Sequence, residues 1–144
     1  MRVEASITVK RPIGEVFAAL SDWTNSSTWI SGTQSVAKTS AGVIGVGTTW
    51  HSVGKVVGRA IDANVMVTEF EPDHRYAWVI DRPFKATATW TLESVEGGTR
   101  VDQTIDGEPE GFFKLARPVL LPMMRRQVQN DLDTFRDLMD AHAL

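Results

Sequence analysis

The clearest pattern in the sequence is a strict alternation of apolar and polar residues from position 84 to position 93. The apolar positions are Phe84, Ala86, Ala88, Trp90 and Leu92. Because side chains two residues apart in a strand share a face, this pattern predicts a strand with one buried and one exposed side. The two alanines on the buried side leave space above the sheet, which a helix or a bound molecule must fill.

The same periodicity predicts six further strands. The first covers residues 2–10, and the others cover 34–40, 48–57, 60–70, 75–81 and 99–106. From position 34 onward, turns rich in glycine, proline and aspartate separate the strands at intervals typical of an antiparallel meander. Val65 and Val67 fall on the expected inner face of one strand, and Gln103 lies on the otherwise apolar face of the last.

Helical periodicity appears near both ends of the chain. Pro12 suits a first helical position and precedes an apolar face that runs to Leu20, and a short second helix is predicted up to about residue 30. Near the C-terminus an apolar stripe with helical spacing predicts one long helix, through Met124, Val128, Leu132, Phe135 and Met139. An interior proline costs a helix about 3 kcal/mol, so we expect this helix to begin near Pro122, after a separate short piece over residues 110–117.

These elements predict an α+β fold of a single domain spanning residues 1–144. In the order β-α-α-β6-α, a curved seven-stranded antiparallel sheet would wrap around the long C-terminal helix. One helix cannot fill a curved sheet of that width, so the arrangement predicts an internal cavity. Ala86 and Ala88 would face it.

Composition narrows the range of functions. The net charge of −3 and the lack of a basic run argue against a nucleic-acid partner. There is no cysteine, which excludes disulfides and thiolate chemistry. The first residues carry no signal-peptide core, and no stretch reaches transmembrane length, so we expect a cytoplasmic protein without integral membrane association. The three histidines lack paired metal-ligand spacing and the glycines lack a nucleotide-binding pattern, so neither a metal nor another cofactor is expected.

The aromatic residues of the strands are the main candidates for a binding site. Trp50, Trp78 and Trp90 lie in separate strands, and Tyr76 shares a face with Trp78. A single tryptophan usually fills a core, but three beside two alanines favour the wall of a cavity that binds a flat ligand. The orientation of Trp50 stays open, because its strand is apolar on both faces.

Two polar residues are further candidates. A buried amide at Gln103 requires a hydrogen bond, which a ligand carbonyl, a water or a neighbouring side chain would supply. Glu69 follows the inner-face valines, and we expect it to reach solvent or pair with Arg75 rather than act as a general base. The full set expected to line the site is Trp50, Val65, Val67, Tyr76, Trp78, Ala86, Ala88, Trp90, Gln103, Phe112, Phe113, Met124 and Val128.

Several segments resemble the START-like, helix-grip superfamily, and its polyketide cyclase/dehydrase-like branch in particular. The resemblance spans nearly the whole chain and rests on PIGEVF at 12–17, GVGT at 45–48, VTEFEP at 67–72, WTLE at 90–93 and GTRV at 98–101. It implies a deep apolar cavity that binds a hydrophobic small molecule, such as an aromatic, polyketide-like or lipid-like compound.

Two other functions stay open. One is an enzyme of the cyclase, aromatase or dehydratase type, which needs an acid or base facing the cavity, and the sequence identifies no such pair. The other is a protein-interaction module like the chaperone-associated relatives of this fold, which needs an exposed apolar patch. The residues around Pro118 and Pro122 are either ordinary packing or a flexible lid. The sequence is compatible with a monomer or a homodimer.

Overall fold

A computed structural model describes residues 1–144 and contains one seven-stranded antiparallel sheet. The strands lie in the order β1-β7-β6-β5-β4-β3-β2. Their bounds are β1 Arg2–Val9, β2 Thr33–Lys38, β3 Thr49–Val56, β4 Arg59–Glu71, β5 Arg75–Ile80, β6 Ala86–Val95 and β7 Gly98–Gly107. Helix α1 (Ile13–Ser21) and a 3₁₀ helix (Trp23–Thr28) connect β1 to β2, and helices α2 (Phe112–Leu115) and α3 (Arg117–Asp140) follow β7. The predicted α+β helix-grip fold is confirmed.

The first and last strands of the chain, β1 and β7, pair with each other. Ala5 lies opposite Gln103, and Ile7 lies opposite Val101. Because β1 enters the sheet beside the last strand, α3 can leave β7 and pack back across the inner face onto β1. The C-terminal half of α3 completes a closed core there, since Leu132, Phe135 and Met139 are all at most 1% exposed.

One predicted helix boundary is wrong. Helix α3 begins at Arg117, not near Pro122, and continues through Pro122. Pro118 lies in the first turn, where backbone N–H groups have no partner within the helix, so it costs nothing there. Pro122 gives up a hydrogen bond inside the helix, but Leu120 beside it is fully buried against Phe113 and Phe84, and this packing holds the turn in place.

A bulge in β4 decides which of its side chains face inward. The register with β5 shifts between Val67 and Glu69, so Thr68 and Glu69 are both exposed. Val67 is buried before the bulge, and Phe70 packs inward after it, with its ring 5.3 Å from that of Phe17. The shift turns Glu69 out of the core, and its carboxylate accepts a hydrogen bond of 2.8 Å from Arg75.

Candidate functional site

A cavity of about 260 Å³ lies between the sheet and the N-terminal half of α3. Of its 22 lining residues, 15 are hydrophobic, so its surface suits an apolar molecule. Helix α3 contributes Met124, Gln127, Val128 and Asp131. The 3₁₀ helix and the turn after it close the cavity on another side, through Trp23, Ser26, Trp29 and Ile30.

The small side chains of β6 explain why space remains here. Ala88 lies opposite Trp78 on β5, and Ala86 lies opposite Ile80. The methyl groups of the two alanines leave a hollow beside the indole of Trp78, and the facing residues of α3 only partly occupy it. Farther along α3, Phe135 and Leu132 fill the corresponding space completely.

Eight of the residues expected to line the site do lie around this cavity: Val65, Trp78, Ala86, Ala88, Trp90, Gln103, Met124 and Val128. They come from β4, β5, β6, β7 and α3, so the fold gathers them from distant parts of the sequence. The rings of Trp78 and Trp90 lie 4.4 Å apart, at an angle of 57°. These two indoles belong to the aromatic part of the wall, to which Trp23, Trp29 and Phe84 also contribute.

Trp50, Tyr76 and Val67 lie elsewhere, in the closed core beside the cavity. Trp50 does point inward, but the indole of Trp23 stacks on it, with ring centroids 5.9 Å apart and planes inclined by 22°. Trp23 also lies 6.1 Å from the ring of Tyr76. Trp23 therefore separates Trp50 and Tyr76 from the cavity, and its own indole lies at the cavity surface in their place. Of the predicted aromatic wall, only Trp78 and Trp90 meet the cavity.

Phe112 and Phe113 also lie outside the cavity. Phe113 packs with Phe84 and Leu120 in a second, smaller apolar cluster at the junction of α2 and α3. Phe112 is 40% exposed, and the guanidinium of Arg59 lies 3.9 Å from the centre of its ring. Helix α2 therefore contacts the tip of the β3–β4 hairpin through Phe112, and it supports the cavity wall from behind through the contact of Phe113 with Phe84.

Several polar atoms near Trp23 are buried without a hydrogen-bond partner. They are the indole N–H groups of Trp23 and Trp50, the hydroxyl of Tyr76 and the hydroxyl of Ser26. Burial raises the pKa of Tyr76 above its ordinary value, although the neighbouring Trp50 indole partly opposes this rise. Tyr76 therefore stays protonated at neutral pH, and it is not placed to act as a base in the cavity.

Gln103 lies in the wall of the cavity, on β7. Its side-chain oxygen accepts a hydrogen bond of 2.9 Å from the indole N–H of Trp90, its cross-strand neighbour. A neighbouring side chain thus satisfies the buried oxygen, which was one of the alternatives open from the sequence. This bond orients the Trp90 indole in the wall and leaves the amide nitrogen of Gln103 free to meet a ligand.

Asp131 is a cavity residue that the sequence reasoning missed. It lies three residues after Val128 and four before Phe135, so its helical spacing already placed it beside the apolar stripe of α3. Only 9% of the residue is exposed. One carboxylate oxygen, Oδ1, accepts hydrogen bonds from the backbone N–H and the hydroxyl of Ser31, at 3.0 and 2.7 Å. Asp131 thus holds the turn before β2 against α3.

Burial raises the pKa of Asp131 above its ordinary value, although the hydrogen bonds from Ser31 act in the opposite direction. A folded-state pKa above the unfolded one means that the fold is most favoured while the carboxyl is protonated. That contribution is fully present below the unfolded pKa and is lost as the pH rises through the folded pKa. The ionised carboxylate therefore lowers the stability of the fold at neutral pH.

We expect Asp131→Asn to raise the free energy of unfolding at pH 7 relative to the unchanged protein, with the difference shrinking as the pH falls toward 4. Asparagine keeps an oxygen for Ser31 but carries no charge to desolvate. Urea denaturation across this pH range measures the difference, and Asp133→Asn on the same helix, outside the cavity, is the control. A pH-independent difference would show that ionisation of Asp131 has no effect on folding.

No cluster of three or more histidine, aspartate, glutamate or cysteine side chains is arranged to hold a metal ion. The imidazole of His51 contacts the carboxylate of Asp62 on the outer side of the sheet, away from the cavity. None of the helices has the length and apolar character needed to cross a bilayer.

A curved antiparallel sheet closed around a C-terminal helix over an apolar cavity defines a START-like protein of the helix-grip, or Bet v1-like, class. The model of the family described as polyketide cyclase / dehydrase and lipid transport matches residues 1–141. The chain therefore belongs to this family. No curated protein matches the sequence.

Solved structures with the same fold are distant in sequence. The Thermus thermophilus protein TTHA0849 is 18% identical, and the match covers 100% of both chains with a TM-score of 0.84. A conserved protein from Geobacillus kaustophilus is 20% identical with a TM-score of 0.77, over 96% of this chain and 95% of that one. Ara h 8.0201 is 16% identical with a TM-score of 0.73, over 96% and 97% of the two chains. At these identities the likeness concerns the fold.

Proposed function

We propose that the protein binds a small, flat, hydrophobic molecule, of an aromatic or polyketide-like kind, in the cavity beneath α3. The observation that carries this proposal is the apolar cavity beside the indoles of Trp78 and Trp90. The family, described as polyketide cyclase / dehydrase and lipid transport, supports binding of a hydrophobic ligand.

The size and lining of the cavity narrow the ligand. Its volume of about 260 Å³ lies just below the range of roughly 300–1,000 Å³ that is typical of pockets for drug-sized ligands. A molecule of a few fused rings suits such a space better than a long acyl chain. The rings of Trp78 and Trp90 offer faces and edges on which an aromatic ligand can pack, which adds about 0.5–1.5 kcal/mol per pair beyond the burial of area.

Binding accounts for this geometry better than proton-transfer catalysis. A cyclase that moves protons needs an acid or base and a donor for the developing oxyanion. Asp131 is the only ionisable side chain in the cavity wall, and one of its oxygens is occupied by Ser31. Tyr76, the only tyrosine in the chain, is sealed in the core beyond Trp23.

Thermal denaturation with naphthalene, 2-methoxynaphthalene, anthraquinone and palmitate tests the proposal. A ligand at a hundredfold excess over its dissociation constant adds about 2.7 kcal/mol to stability, which for a domain of this size raises Tm by roughly 5–11 °C. We expect the aromatic compounds to raise Tm and to quench tryptophan fluorescence, with a smaller effect of palmitate. A Tm unchanged by all four would reject binding of this ligand class.

A further inference from the structure

The wall of the cavity holds a single ionisable group, the carboxyl of Asp131. Its position is unusual, because a carboxylate on a residue that is only 9% exposed loses part of its solvation and must be compensated by hydrogen bonds. Gln103 and Gln127 are also in the wall, but neither carries a charge. The carboxylate of Asp131, on α3, is therefore the strongest hydrogen-bond acceptor in the cavity wall.

The structural role of Asp131 uses only one of its two oxygens. Oδ1 accepts both hydrogen bonds from Ser31. Oδ2 accepts none from the protein, and it is not among the side-chain atoms sealed without a partner in the core. Oδ2 therefore keeps some accessible surface, on a residue that lines the cavity. Asparagine also has a side-chain oxygen that can accept from Ser31, without a buried charge, so holding the turn does not by itself require a carboxylate.

The two sides of the cavity offer a ligand different hydrogen-bonding groups, a donor on one side and an acceptor on the other. On β7, the oxygen of Gln103 is taken by Trp90, which leaves its amide nitrogen as a donor. On α3, Asp131 leaves Oδ2 as an acceptor. A neutral hydroxyl suits this acceptor better than an ammonium group does, because it brings no second charge into an apolar space.

We propose that Oδ2 of Asp131 accepts a hydrogen bond from a hydroxyl group of the ligand, so that the natural ligand is a phenol or alcohol with a flat apolar body. This assignment rests on the proposed function, since it identifies a polar group of the ligand that occupies the same cavity. It makes Asp131 the residue that selects hydroxylated compounds over hydrocarbons and ethers of the same shape.

Calorimetric titration with 2-naphthol and 2-methoxynaphthalene tests the assignment. The two compounds share a ring system, but only the naphthol donates a hydrogen bond. A hydrogen bond to a charged acceptor predicts a preference for naphthol of about tenfold or more. Hydrophobic transfer alone favours the ether, with its additional carbon, so a preference for naphthol has the opposite sign to that trend.

The variant Asp131→Asn separates recognition from a structural effect. Asparagine presents an N–H at the place of Oδ2, and the oxygens of both compounds can accept from it, so the preference for naphthol should disappear. A purely structural role of Asp131 would change both affinities by the same factor and leave their ratio unaltered. Asp133→Asn removes a charge from the same helix outside the cavity and should keep the full preference.

The outcomes distinguish the two proposals. A tenfold preference for naphthol that is lost in Asp131→Asn supports the assignment. If the unchanged protein binds both compounds equally, or if the preference persists in Asp131→Asn, then Asp131 does not select the hydroxyl, while binding in the cavity stands. If neither compound binds, the assignment is overturned, and the proposed function is overturned with it when naphthalene, anthraquinone and palmitate also leave Tm unchanged.

Discussion

Replacing Ala88 with leucine is expected to weaken binding of 2-methoxynaphthalene by at least about tenfold while the protein stays folded. The methyl group of Ala88 lines the cavity directly opposite Trp78. A leucine side chain at this position would extend into the volume that the ligand needs, and it would cover the indole face on which an aromatic ring packs. Loss of one aromatic contact together with part of the buried area accounts for this factor.

The stability of this variant provides an independent check on the cavity. In a filled core a larger side chain typically costs about 1–3 kcal/mol, because its neighbours must move. In an apolar cavity the added carbon atoms gain contacts instead, so the free energy of unfolding of Ala88→Leu should stay within about 1 kcal/mol of the unchanged protein or exceed it. Urea denaturation measures this value.

The matched control is Thr87→Leu, the adjacent residue of β6 on the outer face of the sheet. It introduces the same side chain at an exposed position, so it should leave affinity unaltered. Ala86→Leu, at a second lining position, should repeat the loss seen with Ala88→Leu. If both alanine variants kept full affinity, the ligand would have to bind outside this cavity.

Replacing Phe135 with alanine is expected to lower the free energy of unfolding by about 3–5 kcal/mol. Phe135 is fully buried in the C-terminal half of α3, and its ring lies 5.0 Å from that of Trp29. The surrounding core is closed, so removal of the ring leaves a void that its neighbours cannot fill. Domains of this size are stable by about 5–15 kcal/mol, so the variant loses a large part of the total.

A comparison with Met124→Ala shows whether the two halves of α3 differ as the structure indicates. Met124 belongs to the same apolar stripe, but it is only partly buried and faces the cavity, so its truncation should cost well under half of the Phe135→Ala effect. Urea denaturation at pH 7 measures both values. Equal losses at the two positions would mean that the N-terminal half of α3 packs as tightly as the C-terminal half.

Much of this architecture was readable from periodicity. The alternation on β6 correctly gave the inner positions of Ala88 and Trp90, and the stripe on α3 correctly gave Leu132 and Phe135. These predictions succeed because the period of a strand or helix follows from its own backbone geometry, which does not depend on the rest of the fold. The inward position of Gln103 was predicted for the same reason.

The bulge of β4 and the start of α3 could not be predicted from local periodicity. Strict alternation would have placed Glu69 on the inner face, and only the pairing with β5 reveals the shift that turns it outward. Pro122 would stop an isolated helix, but burial of Leu120 in the second cluster keeps the turn helical. In both cases a contact between separate elements outweighs a local preference.

The sequence by itself determined the fold class, the face of each strand and the presence of small residues beneath the last helix. Only the tertiary structure decided which inward residues meet the cavity and which are covered. Trp23 lies at the cavity surface where Trp50 was expected. Ser31, 100 residues away in the sequence, holds Asp131 in the cavity wall by hydrogen bonds. The physical reason is that periodicity fixes the direction of a side chain relative to its own backbone, whereas the neighbour it meets depends on how distant elements pack together.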